Sequence, residues 1–376
     1  MNSQRYRRLW SVALKIVMVL AVLAGGAYLL AYPSLGGDIA GDRLHRVEAS
    51  PHYRDGVFVN DVPQAEAEIG PLWDYLIEQF FGDQIRVPLT PLPIVPVVLQ
   101  SDDPPPAKGL RAIWLGHASV YLELDGVRLL VDPMFSDKAS PFGFVGPTRL
   151  HPTPIALEAL PIIDAVVISH DHYDHLDRST IKFLAGKGTR FFVPLGVGAH
   201  LEKWQVPANQ IIELDWWETA NIKGLTITST PTRHYSGRGL TDANKTFWSS
   251  WSMVGPRHRV YYSGDTGYGD HFQTIGNKFG PFDLSIIKIG AYGPFASWTD
   301  IHMEAEDAIQ AHLDVNARRL LPVHWATFNL ALHDWNEPIK RALVAAKAAN
   351  IEMVTPRLGE VVTAGEEFNS KIWWVD

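Results

Sequence analysis

The stretch Ser169-His170-Asp171-His172-Tyr173-Asp174-His175 decides the fold and the chemistry of this chain. It follows the apolar run of residues 163–168, which predicts a buried strand that ends in imidazoles and carboxylates. Such groups are good ligands for Zn²⁺ and similar ions. His170 and His172 lie two residues apart and would point the same way in an extended chain. Asp174 and His175, which close the stretch, can bind a second metal ion. The stretch therefore predicts half of a two-metal site rather than a polar surface loop.

Composition restricts the class of protein. The chain has 376 residues, of which 46% are hydrophobic and 20% charged, enough for one large domain or two ordinary ones. Its net charge of −8 argues against a nucleic-acid partner, because phosphate binding needs concentrated lysine and arginine. The absence of cysteine excludes disulfides and thiolate metal sites and fits an oxidising compartment without proving one. Histidine, aspartate and glutamate remain as the metal ligands.

The N-terminus has the pattern of a membrane anchor. Arginines at positions 5, 7 and 8 precede the apolar run 16–32, which contains no charged residue. With the residues just before it, this run approaches the ~20 residues needed to span a bilayer. The positive cluster predicts an inner-membrane helix with its N-terminus in the cytoplasm and the catalytic domain on the periplasmic or extracytoplasmic side. The alternative is a signal peptide cleaved near residues 24–27, followed by secretion.

The rest of the chain divides by composition. Helical spacing over 65–81 predicts one amphipathic helix, and dense proline before residue 107 marks a boundary. The predicted divisions are an anchor or signal peptide (1–35), an arm and Pro-rich linker (36–106), a main domain (107–365) and a C-terminal tail (366–376).

Within the main domain, hairpins mix with β-α units. Predicted strands cover 110–115, 119–124, 127–131, 191–194, 211–214, 225–231, 249–254, 259–263, 284–289 and 319–323. Predicted helices cover 198–204, 270–279, 304–313 and 338–349, and a last hairpin covers 353–364. This order favours two packed sheets covered by helices, an α/β/β/α sandwich.

Further ligand candidates each follow a predicted strand, where binding residues are commonly found. They are His234, Asp265 and His324, and Gly264 would let the backbone approach closely beside the second. A single histidine at a strand end is usually structural, but these follow the His-rich stretch in order. His117 ends the first predicted strand and is expected to support the ligands from a second shell, with a polar strand end as the alternative.

With these residues in this order, the chain resembles the metallo-β-lactamase superfamily. The resemblance implies the α/β/β/α sandwich fold and two Zn²⁺ per chain, with Fe or Mn as open alternatives. It implies one ion on His170, His172 and His234, the other on Asp174, His175 and His324, and Asp265 bridging the two. It also implies that Asp132, after the early hairpin, supports the ligand network from a second shell.

Other segments resemble one branch, the N-acyl-phosphatidylethanolamine-hydrolysing phospholipase D group. They are residues 114–118, 132–136, 139–147, 213–218, 251–252, 280–284 and 324–328. The branch implies a zinc-dependent phosphodiesterase in which a hydroxide shared by the metals releases phosphatidic acid and an N-acylethanolamine. Asp265 and His302 would be catalytic, and Tyr173, His302 and Trp325 would contact substrate. The N-terminal apolar segment is absent from the animal members, so their compartment is not implied.

The implied partners are a phospholipid substrate and a membrane, with a homodimer left open. Aromatic residues near the predicted ligands suit a lipid, although only one or two would touch acyl chains. A metal-dependent lactonase or esterase acting on a small soluble substrate is the alternative within this fold. A non-enzymatic membrane-anchored binding protein is the other alternative, and it would not require all seven ligand positions to be filled.

Overall fold

Two mixed sheets form the centre of the protein. The computed structural model describes residues 3–65, 77–79, 81–99, 109–293 and 295–375. Its strands are β1 (Tyr53–Arg54), β2 (Val57–Phe58), β3 (Leu110–Gly116), β4 (Ser119–Leu124), β5 (Val127–Val131), β6 (Ala165–Val167), β7 (Arg190–Pro194), β8 (Ile211–Leu214), β9 (Thr219–Ile222), β10 (Leu225–Thr230), β11 (Ser250–Val254), β12 (Arg259–Tyr262), β13 (Phe282–Lys288), β14 (Ala317–Val323), β15 (Glu352–Met353) and β16 (Val361–Thr363). Its helices are α1 (Ser3–Ala31), α2 (Gly41–Glu48), α3 (Arg178–Ala185), α4 (Gly198–Lys203), α5 (His271–Phe279), α6 (Ala296–Thr299), α7 (Ala305–Asp314) and α8 (Glu337–Ala348).

The two sheets pack face to face and carry helices on their outer sides. The first has the order β16-β3-β4-β5-β6-β7-β8, and the second β15-β14-β13-β12-β11-β10-β9. One apolar cluster joins the inner faces, with Leu122 from the first sheet and Trp251 from the second. A second cluster packs α3 and α4 on the outer face of the first sheet, while α5 and α7 cover the second sheet. The predicted α/β/β/α sandwich is thereby confirmed.

Strand direction explains where polar residues gather. In the first sheet β3, β5 and β6 run the same way, because β4 is antiparallel to its neighbours and β6 is parallel to β5. In the second sheet β10, β12 and β14 also share one direction. Each of these strands is followed by a predicted site residue. The carboxyl ends of the strands within each sheet therefore meet at one edge.

Two predictions of strand pairing are wrong or incomplete. Residues 353–364 do not form a hairpin, because β15 pairs in parallel with β14 while β16 pairs with β3 of the other sheet. The strand β9 is not among the predicted strands, because its four residues Thr-Ala-Asn-Ile include alanine and asparagine, which are uncommon in strands. It is joined to β10 through Lys223 and Gly224, which both have positive φ values (49° and 85°) suited to a tight hairpin turn.

The terminal segments contact the sandwich in different ways. Residues Trp10–Ala31 of α1 are long and apolar enough to cross a membrane by length and composition, and the 18-residue apolar window within them contains no buried residue. The short elements α2, β1 and β2 rest on the main body through a cluster that includes Phe58 and Phe247. At the other end, Trp374 is buried against Trp325. Most of the helix predicted over 65–81 and the proline cluster before residue 107 lie outside the described residues.

Candidate metal centre

Three histidines form a first donor set. His170 and His172 follow β6, and His234 follows β10 of the opposite sheet. Nε2 of His170 lies 2.8 Å from Nδ1 of His172, and Nε2 of His234 lies 3.3 Å from the same nitrogen. One ligand atom from each residue falls within 4.8 Å of the others. Three neutral imidazoles converging from two sheets are a donor set suited to one metal ion.

A second donor set lies beside the first. Asp174 and His175 end the His-rich loop, and His324 follows β14. Oδ2 of Asp174 lies 3.3 Å from Nε2 of His175 and 3.5 Å from Nε2 of His324. His117, expected in a second shell, places its Nε2 2.8 Å from the same carboxylate oxygen and belongs to this group of potential ligands. His117 is therefore closer to the donor atoms than its position at a strand end indicated.

Asp265 lies between the two sets. Its Oδ2 is 3.0 Å from Nε2 of His324 and 3.3 Å from Nε2 of His175 in the second set. The same side chain also groups with His234 and His302 on the side of the first set. Gly264 permits this position, because it has φ 59° and a Cβ there would stand 2.7 Å from the Cβ of Ser169. The expected close approach at Gly264 is confirmed.

Several donor atoms make no hydrogen bond to the described residues. Nε2 of His175, Nε2 of His324 and Oδ1 of Asp265 are buried and accept or donate no hydrogen bond within the described protein. Buried polar atoms are normally satisfied, and each unsatisfied one costs roughly 1–3 kcal/mol. A cation held among them would satisfy all three. The donors are nitrogen and oxygen atoms in a mixed histidine and carboxylate set, so they fit Zn²⁺ and related transition metals.

The charge distribution also prepares the site for a cation. Burial alone would raise the pKa of Asp174 and Asp265, but the neighbouring histidines hold both well below the usual range. Burial lowers the pKa of His170 and His234 well below 6.5 and keeps their imidazoles neutral. For His175, burial is outweighed by Asp265 and Asp174, and its pKa is raised well above 6.5. Ionised carboxylates beside these imidazoles give a buried cluster that attracts positive charge.

Asp132 orients one of the donors. It is fully buried, and its carboxylate accepts hydrogen bonds from Nδ1 of His175 (2.7 Å), the amide of Ser169 (2.7 Å) and the hydroxyl of Tyr262 (2.5 Å). A carboxylate bound to Nδ1 directs Nε2 of the same ring toward a metal. Asp132 therefore lies where a supporting residue is expected from the sequence, whereas the contacts of Tyr262 and Ser169 with it are not expected. Tyr262 is an ordinary strand residue, and Ser169 opens the His-rich stretch without a pattern that marks it as a partner of Asp132.

Backbone conformation at the site is unusual. His117, Asp132 and His324 have φ values of 51°, 36° and 66°, in the left-handed region that few residues other than glycine adopt. Such conformations cost on the order of 1–3 kcal/mol each and persist where the surrounding structure demands them. All three follow strands that end at the donor cluster. The backbone is therefore strained at the three positions where these side chains enter the donor cluster.

A cavity of about 520 Å³ opens onto the donors. His172, Asp174, Asp265, His302 and His324 line its floor. Its walls are mainly apolar and aromatic, formed by Tyr173, Tyr235, Ala291, Phe295, Trp298, Ile301 and Leu330. Two of the expected substrate-contacting residues, Tyr173 and His302, therefore face this space.

Trp325 does not line the cavity, and its expected substrate contact is corrected. The side chain is buried in the core and stacks on Trp114 and Trp373 at ring-centroid distances of 5.3 and 5.1 Å. Its indole nitrogen donates to the carbonyl of Pro322. The residue follows His324 in sequence, but the positive φ of His324 turns the next side chain away from the site.

A family model described as the beta-lactamase superfamily domain matches residues 127–325, which include His170 to His324 of both donor sets. The chain belongs to this superfamily. It is 44% identical over 378 residues to the uncharacterized protein Rv0906 of Mycobacterium tuberculosis, covering 96% of this chain and 98% of that protein. It is 37% identical over 283 residues to N-acyl-phosphatidylethanolamine-hydrolyzing phospholipase D 1 of Caenorhabditis elegans, covering 71% of this chain and 80% of that protein.

Solved structures agree on the fold. Igni18, a metallo hydrolase from the archaeon Ignicoccus hospitalis, superposes with a TM-score of 0.54 at 22% identity, covering 69% of this chain and all of that one. The family, the fold and the buried histidine–aspartate cluster together make this protein a metal-dependent hydrolase.

Proposed function

We propose that the protein is a zinc-dependent phosphodiesterase of the phospholipase D type. Its substrate would be N-acyl-phosphatidylethanolamine or a similar phospholipid, and its products phosphatidic acid and an N-acylethanolamine. The observation that carries this proposal is the cavity of about 520 Å³, which joins the donor cluster at its floor to aromatic and aliphatic walls. Similarity to the Caenorhabditis elegans phospholipase supports the same substrate class.

The dimensions of the cavity suit part of a lipid. A space of this volume accommodates a drug-sized group rather than a phospholipid with three acyl chains. The phosphodiester would lie at the floor, and the N-acyl chain would contact walls that include Phe295 and Trp298. The diacylglycerol portion would remain in the bilayer. The apolar wall explains why a lipid fits this site better than a sugar phosphate does.

The proposed reaction transfers the phosphoryl group to water. The water oxygen forms a bond to phosphorus, the bond from phosphorus to the ethanolamine oxygen breaks, and the proton given up by the water ends on that departing oxygen. Two Zn²⁺ held by the first and second donor sets, with Asp265 shared between them, would supply Lewis-acid stabilisation of the phosphoryl oxygens and an acidified water. Asp265 would orient the attacking water, since its Oδ1 makes no hydrogen bond to the described protein.

His302 is suited to contact the phosphate. Its Nδ1 is buried, makes no hydrogen bond to the described residues and lies 3.7 Å from Oδ2 of Asp265. Burial, with a contribution from nearby Lys288, holds the pKa of His302 well below 6.5, so the imidazole is neutral near pH 7. A neutral imidazole can donate one N–H to a phosphoryl oxygen. This role fits the structure better than that of a proton donor to the leaving alkoxide, which the sequence had left open.

We further propose that α1 is retained as an inner-membrane anchor and that the catalytic domain is exported. The apolar length of Trp10–Ala31 and the arginines that precede it support this orientation. The anchor would hold the enzyme where its phospholipid substrate is concentrated. A secreted form that lacks roughly thirty residues of the N-terminus would contradict retention, and the mass of the mature protein distinguishes the two.

The decisive assay uses the full-length, zinc-loaded protein and vesicles that contain N-acyl-phosphatidylethanolamine. Mass spectrometry of the products is expected to show phosphatidic acid and N-acylethanolamine in equal amounts. Asp265→Asn should abolish both. The matched control is Asp164→Asn, because the Asp164 carboxylate binds the amide of Arg128 and the amine of Lys223 and contacts no donor histidine.

A panel of lactones and small esters tests the alternative within the fold. Hydrolysis of a lactone by metal-loaded protein that leaves every phosphodiester intact would replace the phospholipase proposal with a lactonase. Absence of both activities from protein with a full metal complement would favour a binding function.

A further inference from the structure

The apolar helix α1 ends directly on the catalytic body. Ala31, its last residue, is buried, and residues 32–37, which we call the juxtamembrane segment, lie on the protein surface beyond it. Three hydrogen bonds attach this segment to the body: Arg238 Nε to Ser34 O (3.0 Å), Lys203 Nζ to Gly36 O (2.9 Å) and Gly37 N to His200 Nδ1 (2.9 Å). The packing is close, because a Cβ on Gly36 would stand 2.4 Å from the His200 ring. The end of α1 is therefore held against the catalytic body by direct contacts and is not joined to it by a free linker.

Arg238 and His200, which bind the juxtamembrane segment, also contact residues 170–175, which we call the metal-binding loop. Nη1 of the buried Arg238 donates to the carbonyl oxygens of Asp171 (2.5 Å) and Leu176 (3.0 Å), which flank three of the four donors of that loop. Nε2 of His200 lies 3.1 Å from Oδ2 of Asp171. Each side chain thus contacts the juxtamembrane segment with one edge and the metal-binding loop with the other. The orientation of the donor cluster relative to α1 is fixed by these contacts.

Exposed apolar side chains occur near the end of the helix. Phe142 and Gly143 line, with Ser34 and Arg238, a cavity of about 390 Å³. The next residues, Phe144 and Val145, are 70% and 51% exposed, and Leu240, two residues after Arg238, is fully exposed. We call Phe144, Val145 and Leu240 the apolar rim. The Phe144 ring also lies 5.7 Å from that of Phe142, so exposed apolar side chains are grouped near this cavity rather than scattered singly. Grouped apolar exposure of this kind marks an interaction surface.

We infer that the apolar rim enters the interfacial layer of the bilayer that holds α1. The helix end fixes the level of the membrane surface beside Ser34, and the rim residues lie around that point. Tyr173 lines both the cavity beside Ser34 and the cavity over the donors, so the catalytic cavity opens next to the same surface. The occupant of the rim is the lipid of that bilayer. This inference rests on the proposed insertion of α1 and does not depend on the identity of the substrate.

Site-directed fluorescence tests the inference on the full-length protein. The chain contains no cysteine, so a single introduced cysteine can be labelled selectively with an environment-sensitive dye. Phe144→Cys and Leu240→Cys report on the rim, and Val22→Cys reports on α1. Ile162→Cys is the matched control, because Ile162 is 67% exposed and precedes β6, whose opposite end carries the donor loop. The labelled proteins are reconstituted in vesicles of phosphatidylcholine and phosphatidylglycerol with or without brominated acyl chains.

Brominated lipid is expected to quench the dyes at positions 144, 240 and 22 and to leave position 162 unchanged. Quenching at position 22 without quenching at positions 144 and 240 would overturn the inference, although the insertion of α1 into the bilayer would still be supported. No quenching at position 22 would refute insertion of α1, and the inference would fall with it. Where the unaltered protein cleaves N-acyl-phosphatidylethanolamine, Phe144→Ser combined with Leu240→Ser gives a second readout: its hydrolysis in vesicles should fall at least about threefold, with the detergent-dispersed lipid cleaved as before. Equal rates on vesicles would also contradict the inference.

Discussion

Replacing Asp132 by asparagine should weaken metal binding by about ten- to a hundredfold while leaving the protein folded. The substitution keeps the shape of the side chain and changes only its charge and its hydrogen-bonding groups. Asp132 touches no substrate in the proposed site and is not itself a proposed ligand. Any loss of affinity therefore reports how firmly His175 is held by its Nδ1 contact of 2.7 Å.

The magnitude follows from the contacts of the carboxylate. Oδ2 of Asp132 accepts from His175, Tyr262 and the hydroxyl of Ser169, and Oδ1 accepts from the amide of Ser169. An amide NH₂ cannot accept a hydrogen bond, so in either orientation it faces at least one donor. A buried donor left without its acceptor costs roughly 1–3 kcal/mol. A tenfold to hundredfold loss of metal affinity corresponds to about 1.4–2.7 kcal/mol, which lies in that range.

The assay is competition for zinc with a chromophoric chelator, with metal content measured on the same samples. Asp164→Asn is the control, since it makes the same chemical change at a carboxylate that binds Arg128 and Lys223. Its zinc affinity should match that of the unaltered protein. If Asp132→Asn is folded by circular dichroism and binds zinc as tightly as the control, Asp132 does not position His175, and the explanation given for its burial is wrong.

Three further outcomes are expected. His117→Gln should lower the zinc content of the second donor set, because Nε2 of His117 lies 2.8 Å from Oδ2 of Asp174; unchanged stoichiometry and affinity would make His117 dispensable. Burial lowers the pKa of His312 from 6.5 to about 4, so the folded state binds fewer protons than the unfolded state between these pH values. The free energy of unfolding should therefore fall by at most about 3 kcal/mol as the pH drops from 6.5 toward 4. His312→Asn should flatten the urea midpoint over that window, and an identical pH dependence would refute this. Arg238→Met should speed the amide hydrogen exchange of residues 171–176, because the contacts of Arg238 with the Asp171 and Leu176 carbonyls are lost. Arg238→Lys should not restore protection, because one ammonium group cannot replace the forked guanidinium. Unchanged exchange would show that Arg238 does not hold this loop.

The positions of the donors could be predicted because they depend on local pattern. Apolar runs marked β6, β10, β12 and β14, and each is followed by a histidine or an aspartate. Strands that share a direction bring such residues to one edge, and the resemblance to the metallo-β-lactamase superfamily grouped them as ligands of one site. The structure brings all seven proposed ligands into one cluster. Their assignment to particular metal ions stays a prediction.

The rest depended on contacts between distant segments. Nothing near residue 361 shows that β16 leaves β15 and pairs with β3 in the other sheet, because partner choice is decided by the packing of the whole sandwich. Arg238 and His200 carry no motif, and their link from the juxtamembrane segment to the donor loop is visible only in three dimensions. Trp325 is predicted to contact substrate because it follows the donor His324 in sequence, but its side chain is buried in the core.

Hydrolysis in H₂¹⁸O tests the proposed phosphodiesterase most directly. Full-length, zinc-loaded protein acting on N-acyl-phosphatidylethanolamine vesicles should place one ¹⁸O in the phosphate of phosphatidic acid and none in the N-acylethanolamine, because water attacks phosphorus. Removal of the metal with a chelator should stop the reaction, and added zinc should restore it. Label in the hydroxyl of the N-acylethanolamine, or no phosphatidic acid from fully metal-loaded protein, would contradict the proposed function.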